Sequence, residues 1–549
     1  MAARKERRGR QKRPGRAARH ARRREAVRIP DAEIALPTRS VEPESVVAHL
    51  GPTNSGKTHA ALEFLAESGR GVFAAPLRML AQEAHRRLAA QLGSEQVGLV
   101  TGEERVNEDA PILCCTAEMA PMRGPAGIGE VLVVDEVQWA DDPERGAAWT
   151  RLLLAAEYRH ILLLGAVEAL PLVRNAFPDV DVRFFERKAP LDWTGAVAFG
   201  SLKPGTVVVA FSRRAVLALA GELARRRPGR VSVLYGAMPL ASRRVEIDRF
   251  LNGAADVCAA TDVLGHGVNL PCETLLFAET TKFDGQEQRE LHSWEIAQIA
   301  GRAGRFGLVE RGHVGVLTGI VWAQADPELV ESALVPHVEI GDGHYGYRVV
   351  DTARMRPRLE DLPIESPLQL PAALRAWHNA ALRQWATEGW LSVESIGPLL
   401  GRLDTVGRRL RESGRKLSLE QTWKLVNAPV DEDNAELLGT LALAVAGDRR
   451  QHPVLAWLLD TSRLRDASLE DAEHAARTAS ILRWFALQYP GVGGVTIERA
   501  AALEQASSDR VTARLAAEVR SPSVGRCKSC GQSCAPWFPL CDRCYSRRR

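Results

Sequence analysis

Short, mostly apolar runs recur along the first half of the chain and alternate with longer stretches of helical character. The first five are SVVAHLG, GVFAAP, PILCCT, VLVVDE and ILLLG, which begin at residues 45, 71, 111, 131 and 161. Apolar runs of this length are typical of strands buried on both faces of a parallel sheet. The pattern predicts an α/β domain, which we place at residues 44–190.

A second set of apolar runs follows near residue 190. TVVVAF, VSVLY, DVCAAT, TLLFA and HVGVLT begin at residues 206, 231, 256, 274 and 313. They predict a second α/β domain at residues 191–340. Beyond residue 345 the strand pattern ends, and amphipathic stretches such as PAALRAWHNAALRQWATEGW predict a helical region at 345–520. Its Trp377, Trp385 and Trp390 could stack on bases, but core packing is the favoured interpretation.

Composition and charge predict a basic N-terminal arm and argue against a membrane-spanning segment. A chain of 549 residues is too long for one hydrophobic core. No apolar run reaches the roughly 18 residues that span a bilayer. Residues 1–28 contain thirteen Lys or Arg and only two acidic residues, so we predict a disordered basic arm over 1–30 that neutralises phosphates. A solvated tail without a partner and a targeting segment are the alternatives.

The nine cysteines separate into two groups. Four lie in apolar segments and are expected to be buried, and five lie within the last 23 residues. Cys527 and Cys530 form one pair and Cys541 and Cys544 another, a spacing that suits tetrahedral Zn²⁺. We predict a zinc-binding tail at 524–549, with Cys534 as a spare thiol and surrounding basic residues that favour nucleic-acid or protein contact. Because no secretory signal precedes the fold, the expected location is cytoplasmic.

The stretch GPTNSGKT fits the phosphate-binding loop pattern and lies between a predicted strand and a predicted helix. Loop N–H groups and a helix N-terminus attract phosphate, and a lysine adds a positive charge. The predicted NTP-binding residues are Gly51, Pro52, Thr53, Asn54, Ser55, Gly56, Lys57 and Thr58.

Two adjacent acids follow the predicted strand VLVV. Ligands of parallel sheets bind beyond the carboxyl ends of the strands, where Mg²⁺ and the attacking water must be held. We therefore assign Asp135 and the Thr58 hydroxyl to Mg²⁺ and Glu136 to the activation of water.

The second domain has no phosphate loop but carries QIAGRAGR. Gln298, Arg302 and Arg305 recur every three or four residues, which would place them on one face of a helix. Arginines offered to a terminal phosphate from a second domain accelerate hydrolysis by about 10³- to 10⁵-fold. The pattern therefore predicts hydrolysis in a cleft that closes between the two domains.

GPTNSGKT, APLRMLAQEA, TGEE, DEVQ, ATDVLGHGVNL and QIAGRAGR occur in the order and spacing of superfamily 2 helicases. In detail the chain resembles the mitochondrial degradosome RNA helicase family and its bacterial relatives. The resemblance implies two RecA-like domains, ATP as the NTP, 3′ to 5′ movement on RNA, and a role in RNA turnover with an exoribonuclease partner. It also implies backbone-tracking positions at Pro76, Arg78, Thr101, Gly102, Thr116, Phe211, Arg213 and Thr261.

Several features depart from this pattern or compete with it. The third motif reads LLLGAVEAL without a polar residue at the expected place, and Gln138 stands where other relatives carry His or Asp. No adenine-reading Gln motif is found, so ATP and other NTPs both stay open as the nucleotide. TKFD fits a guanine-reading pattern but lies outside the phosphate-loop domain, which argues against a GTPase. A DNA helicase, and an NTP-gated RNA clamp for a nuclease, stay open as alternatives.

Overall fold

The computed structural model describes residues 37–264, 270–284, 287–304, 311–320, 322–385, 388–430, 434–447, 452–519, 525–534 and residue 544. The basic arm predicted at 1–30 lies outside these residues. Within the described chain, no helix is both long enough and apolar enough to cross a membrane.

The first domain is an α/β layer whose described strands form one eight-stranded sheet of order β4-β3-β5-β2-β6-β7-β1-β8. These strands are β1 (Ser45–Leu50), β2 (Gly71–Ala75), β3 (Val97–Val100), β4 (Arg105–Val106), β5 (Ile112–Thr116), β6 (Gly129–Val134), β7 (Tyr158–Gly165) and β8 (Asp181–Phe184). Its helices are α1 (Lys57–Ser68), α2 (Arg78–Leu92), α3 (Gly146–Ala155) and α4 (Leu170–Ala176). Among the described strands of this sheet, the β3–β4 pair is antiparallel and the other pairs are parallel.

Successive residues of a central strand enter opposite cores, which explains the unbroken apolar runs. On β6, Val133 packs in the core under α1 and α2, and Val134 packs in the core on the opposite face. Because side chains alternate across a sheet, a strand covered on both faces needs apolar residues at every position.

The second domain has a six-stranded parallel sheet of order β11-β12-β10-β13-β16-β9 among the described residues. Its strands are β9 (Leu191–Ala198), β10 (Thr206–Val209), β11 (Val231–Leu234), β12 (Val257–Ala260), β13 (Thr274–Phe277) and β16 (Gly312–Thr318). An antiparallel pair, β14 (Thr281–Phe283) and β15 (Gln288–Glu290), lies between β13 and α7 along the chain. The helices are α5 (Arg213–Arg226), α6 (Leu240–Leu251), α7 (Ser293–Ala300) and α8 (Pro327–Ser332).

The C-terminal region is mainly helical, as predicted. Its helices are α9 (Leu370–Trp385), α10 (Gly397–Ser413), α11 (Leu419–Val426), α12 (Ala435–Ala446), α13 (Pro453–Leu458), α14 (Leu469–Gln488) and α15 (Ile497–Arg514). Its short strands are β17 (Val338–Gly341), β18 (His344–Gly346), β19 (Ala353–Met355), β20 (Leu391–Val393), β21 (Gly525–Arg526) and β22 (Ser533–Cys534). The prediction that strands end near residue 345 is wrong in this detail, since β19 and β20 pair in parallel. Strands of three residues are too short to give a recognisable apolar run.

The helical region shares hydrophobic cores with both domains. Leu374 and Leu482 pack in the core that includes Val134 of the first sheet. Leu469 and Val511 pack in the core that includes Val208 of the second sheet. The C-terminal helices therefore connect the two α/β domains by buried apolar contacts.

The tryptophans of α9 are core residues. Trp377 and Trp385 are 4% and 1% exposed, and their rings meet edge to face with centroids 5.4 Å apart. Trp390 is half-buried and packs against the same core. This confirms core packing over base stacking for the two tryptophans of the helix.

Candidate functional site

The phosphate loop joins β1 to α1 through backbone conformations that suit its sequence. Asn54 and Gly56 have φ of 63° and 92°, in the left-handed region that glycine and asparagine tolerate best. At Gly51 a side chain is excluded, because a Cβ would lie 2.2 Å from the carbonyl oxygen of Phe185. Lys57 is buried, and its Nζ donates to the carbonyls of Gly51 and Pro52 at 3.0 and 3.1 Å.

The two predicted acids lie directly beyond the end of β6. Asp135 is 5% exposed, and its Oδ1 accepts from the backbone N–H of Glu136 at 3.0 Å. Burial and the neighbouring Glu136 raise the pKa of Asp135 to about 7, against the opposing effect of Lys57. A buried carboxylate with a raised pKa gains most from a cation, so the donor set of Asp135 and the Thr58 hydroxyl fits Mg²⁺.

Glu136 is held in an unusual conformation by its neighbours. Its φ and ψ are 51° and 55°, a region that glutamate rarely adopts. Gln138 donates from Nε2 to a Glu136 carboxylate oxygen, and its Oε1 accepts from the backbone N–H of Ala166 at 3.2 Å. Gln138 thus connects the Glu136 carboxylate to the segment after β7, which is where the resemblance places the third motif.

The second domain brings its polar residues to the same cleft, but not on one helix. Helix α7 ends at Ala300, so Gln298 lies in its last turn and Arg302 lies in the turn that follows. The prediction of a continuous helical face is therefore wrong, because the helix ends at Ala300 and the chain turns between Gly301 and Gly304. Gly304 has a φ of 69°. Arg305 lies outside the described residues.

Arg302 lies in the electrostatic field of the first domain. Burial lowers the pKa of Arg302, whereas the charges of Glu136, Glu83 and Asp135 raise it. The guanidinium is thus placed to interact with the acids across the cleft.

A cavity of about 480 Å³ joins these groups. It is lined by residues of both domains, including Thr53, Asn54, Ser55, Gly56, Lys57, Thr58, Asp135, Glu136, Lys188, Gln298 and Arg302. Within the described chain the Ser55 hydroxyl is buried here without a hydrogen-bond partner. Buried polar groups without partners are uncommon, and this one suits a polar ligand.

Two residues at this cleft acquire contacts that the sequence did not indicate. Arg187, between β8 and β9, donates from Nη1 to the carbonyls of Thr53 and Gly301 at 3.0 and 2.9 Å. Asn54 donates from Nδ2 to the carbonyls of Gly301 and Gly304 at 2.9 and 3.1 Å. Burial lowers the pKa of Arg187 to about 10, which leaves it charged at neutral pH. No motif marks Arg187, so only its position in the connection between the domains could have suggested a role.

Two family models match the chain over these domains. One, the DEXQ-box helicase domain of Suv3, matches residues 36–185. The other, the helicase conserved C-terminal domain, matches residues 196–307. The chain carries a Suv3-type helicase core. Its two parallel-sheet domains are RecA-like, as the resemblance implied.

The helicase core is similar to curated helicases of fungi and plants. It is 35% identical over 274 residues to the ATP-dependent RNA helicase SUV3, mitochondrial, of Saccharomyces paradoxus, a match that covers 48% of this chain and 36% of that protein. It is 37% identical over 270 residues to the DExH-box ATP-dependent RNA helicase DExH16, mitochondrial, of Arabidopsis thaliana, covering 48% of this chain and 46% of that protein. The matches therefore span less than half the length of these relatives.

These names contradict the predicted cytoplasmic location. The relatives above, and the Drosophila melanogaster homologue at 35% identity, are all named mitochondrial. The prediction relied on the lack of a secretory signal and gave too little weight to the arm at residues 1–28. A basic, acid-poor composition is also what organelle-targeting segments have in common.

The predicted backbone-tracking residues of the helicase core lie at the carboxyl ends of the strands. On the first sheet, Pro76 and Thr101 directly follow β2 and β3, Gly102 follows Thr101, and Thr116 is the last residue of β5. On the second, Thr261 follows β12 and Phe211 lies two residues beyond β10. The two sheets therefore present the predicted positions at equivalent edges.

The two arginines of that set form ion pairs instead of standing alone. Arg78 pairs with Glu103, which also accepts from the hydroxyl of Ser480 on α14. Arg213 pairs with Glu473 of α14 at 3.0 Å, and Glu473 is 2% exposed. Both arginines thus help to fix the helicase core to the C-terminal region.

A second cavity of about 300 Å³ lies where the two domains and the C-terminal region meet. It is lined by Arg78, Glu103, Gly236, Ala237, Met238, Pro239, Leu240, Arg243, Pro429, Ala476, Arg477, Ser480, Ile481 and Glu504. Burial in this cavity, and next the charge of Arg78, lower the pKa of Arg243 to about 10.

The cysteine tail brings three of the four predicted zinc ligands together. The sulfur atoms of Cys527, Cys530 and Cys544 lie within 4.8 Å of one another. Such proximity of three thiols suits tetrahedral zinc, whose Zn–S bonds are about 2.3 Å long. Cys541 lies outside the described residues, and the side chain of Cys534 is not described.

Proposed function

We propose that this chain is an ATP-dependent RNA helicase that couples hydrolysis in the inter-domain cleft to 3′ to 5′ movement and duplex unwinding. The observation that carries the proposal is the first cavity, which is lined by Lys57 and Glu136 of one domain and by Arg302 of the other. A site completed by two domains makes hydrolysis depend on their approach, and this dependence converts chemistry into motion.

The residues of the phosphate loop and the acids divide the work. Loop N–H groups and Lys57 bind the β- and γ-phosphates, and the Thr58 hydroxyl with Asp135 would hold Mg²⁺. When bound, Mg²⁺ neutralises the charge that builds up on the transferred phosphoryl group. Glu136, kept in place by Gln138, accepts a proton from the attacking water.

The second domain completes the site. Arg302, and by the motif Arg305, stabilise the charge of the transition state, and Gln298 orients groups at the terminal phosphate. Hydrolysis removes the phosphate that both domains hold, so the domains separate and their grip on the strand shifts.

RNA is proposed as the substrate, in single-stranded or 3′-tailed form, because the curated relatives are named RNA helicases. The strand-end positions from Pro76 to Thr261 would contact the backbone, and the second cavity would continue the path toward the C-terminal region. Phosphate contacts carry no base identity, so these positions suit movement along any sequence. A role in RNA turnover beside an exoribonuclease is part of this proposal.

The test is strand displacement on matched RNA and DNA duplexes with 3′ or 5′ tails. Glu136→Gln should reduce ATP hydrolysis by about 10²- to 10⁴-fold, because a general base contributes that much, while nucleotide affinity is retained. Glu130→Gln is the matched control, since Glu130 lies half-exposed on β6 and pairs with Arg159.

Each outcome has a distinct meaning. Displacement of 3′-tailed RNA alone supports the proposal, and displacement of DNA alone supports a DNA helicase. RNA-stimulated hydrolysis without any duplex opening supports an RNA clamp. A Glu136→Gln variant with full activity would contradict the assigned site.

We also propose that the tail binds one Zn²⁺ through Cys527, Cys530, Cys541 and Cys544. The close approach of three sulfur atoms supports this assignment. A segment of this size has too small an apolar core to fold without a metal or a crosslink. Arg526 and Lys528 next to the ligands would allow contact with nucleic acid.

A further inference from the structure

Arg187 lies in the connection between the two domains and uses every N–H of its guanidinium group. Nε donates to one carbonyl at 2.5 Å, Nη1 to two at 3.0 and 2.9 Å, and Nη2 to two more, one of them at 3.3 Å. The acceptors are the main-chain carbonyls of Ala189, Thr53, Gly301, Ala303 and Gly304.

These carbonyls belong to three segments that meet at one point. Thr53 is part of the phosphate loop, Ala189 is part of the connection, and the other three lie just beyond the C-terminus of α7. Each of these carbonyl oxygens carries a partial negative charge and needs a donor, so a cation with several N–H groups is favoured where they converge. Arginine suits the position because its planar group offers five donors in a fixed fork, whereas lysine offers three from a single atom.

The phosphate loop reinforces the same contact. Asn54 donates to the carbonyls of Gly301 and Gly304, two of those that Arg187 binds. The turn after α7 also lies close to the phosphate loop, because a Cβ added to Gly301 would lie 3.3 Å from the Cβ of Thr53. Arg302 is the next residue along the chain, so its position relative to the phosphate loop depends on these bonds.

We infer that Arg187 is a positioning residue for hydrolysis, which holds the turn carrying Arg302 against the phosphate loop. The inference rests on the proposed function for its kinetic consequence, but the contact itself can be tested without activity. A displacement of about 1 Å at a reacting centre costs about 10²-fold in rate. The connection between the domains thereby acts on the turn that carries Arg302, and is not only a tether.

The test compares Arg187→Ala and Arg187→Lys with the control Arg183→Ala. Arg183 lies four residues earlier on β8, is largely exposed, and pairs with Asp181. We expect kcat for ATP hydrolysis to fall about ten- to hundredfold in Arg187→Ala. The kcat of Arg187→Lys should fall less, and the kcat of Arg183→Ala should equal that of the unchanged protein. Affinity for ADP should stay constant, since Lys57 and the loop N–H groups are intact.

Two readouts separate positioning from a general structural role. Millimolar guanidinium should restore part of the activity of Arg187→Ala, because it can occupy the space of the removed group. Hydrogen exchange of residues 298–304 should be faster in that variant and unchanged in the control.

The inference is overturned by unchanged kcat. It is also overturned if kcat, ADP affinity and the thermal midpoint all fall together without guanidinium rescue. If the unchanged protein hydrolyses no NTP, the proposed function fails on its own, and the exchange of residues 298–304 still decides whether Arg187 positions the turn.

Discussion

Gln138 links the third motif of this helicase core to Glu136 by hydrogen bonds. The segment after β7 lacks the polar side chain expected there, but the backbone N–H of Ala166 donates to Gln138. The same glutamine donates to Glu136. A backbone N–H thus makes the contact to Gln138, so this contact does not require a polar side chain in LLLGAVEAL. The two contacts require both the length and the amide group of Gln138, because its Nε2 donates and its Oε1 accepts.

Removing Gln138 tests this contact. Gln138→Ala should lower ATP hydrolysis by about tenfold, since a hydrogen bond to a charged group contributes about 1.5–3 kcal/mol and only part of this acts in the transition state. Steady-state hydrolysis with and without RNA measures the effect. Gln91→Ala, a change at an exposed position on α2, is the control. Equal rates in both variants would exclude the proposed link.

The residues of the first domain's site were predictable and those that join the domains were not. Lys57, Asp135 and Glu136 belong to local motifs, in which a strand end and a loop fix the side chain within a few residues. Arg187 contacts residues 134 and 114 positions away, and its partners are backbone atoms that leave no trace in residue identity. Such contacts can be found only once the sheets are assembled.

At the scale of elements, the N-terminus of α3 is joined to the short sheet β19–β20. Glu394 follows β20, is 7% exposed, and accepts from the backbone N–H of Ala147 at 3.3 Å. Burial raises its pKa to about 7, which Arg356 only partly offsets. The folded protein therefore keeps a proton on Glu394 at pH values where the unfolded chain has lost it.

This predicts a pH-dependent stability that Glu394→Gln should remove. Between about pH 4.5 and pH 7 the unfolded chain binds fewer protons at this site, so the free energy of unfolding falls as pH rises. The free energy of unfolding should fall by at most about 3 kcal/mol over this range. Thermal unfolding from pH 5 to pH 8 measures it, with Glu388→Gln at an exposed position as the control. A Gln variant with the same pH slope as the unchanged protein would refute the assignment.

Strands and most helices could be predicted because their signal is periodic and local. The end of α7 could not be read from side-chain spacing, since Gln298 and Arg302 keep a helical interval across a turn that Gly301 and Gly304 create. The three-residue strands β19 and β20 were missed because their pairing depends on partners about 40 residues apart.

At the scale of the whole molecule, the cysteine tail is separate from the helicase core. The family matches end at residue 307, and the described cysteines of the tail begin at Cys527. We expect metal analysis to find about one zinc per chain. The double variant Cys527→Ser, Cys530→Ser should contain much less zinc. ATP hydrolysis should persist in that double variant. Cys114→Ala, a change in the first domain's core, should leave the zinc content unchanged, and full zinc occupancy in the double variant would refute the site.

Helix α14 touches one α/β domain through Ser480 and the other through Glu473. These residues are seven positions apart, which is two turns and about 10 Å along one face of the helix. A rigid helix fastened to both domains fixes their spacing at this edge, so we expect the domains to separate least beside α14.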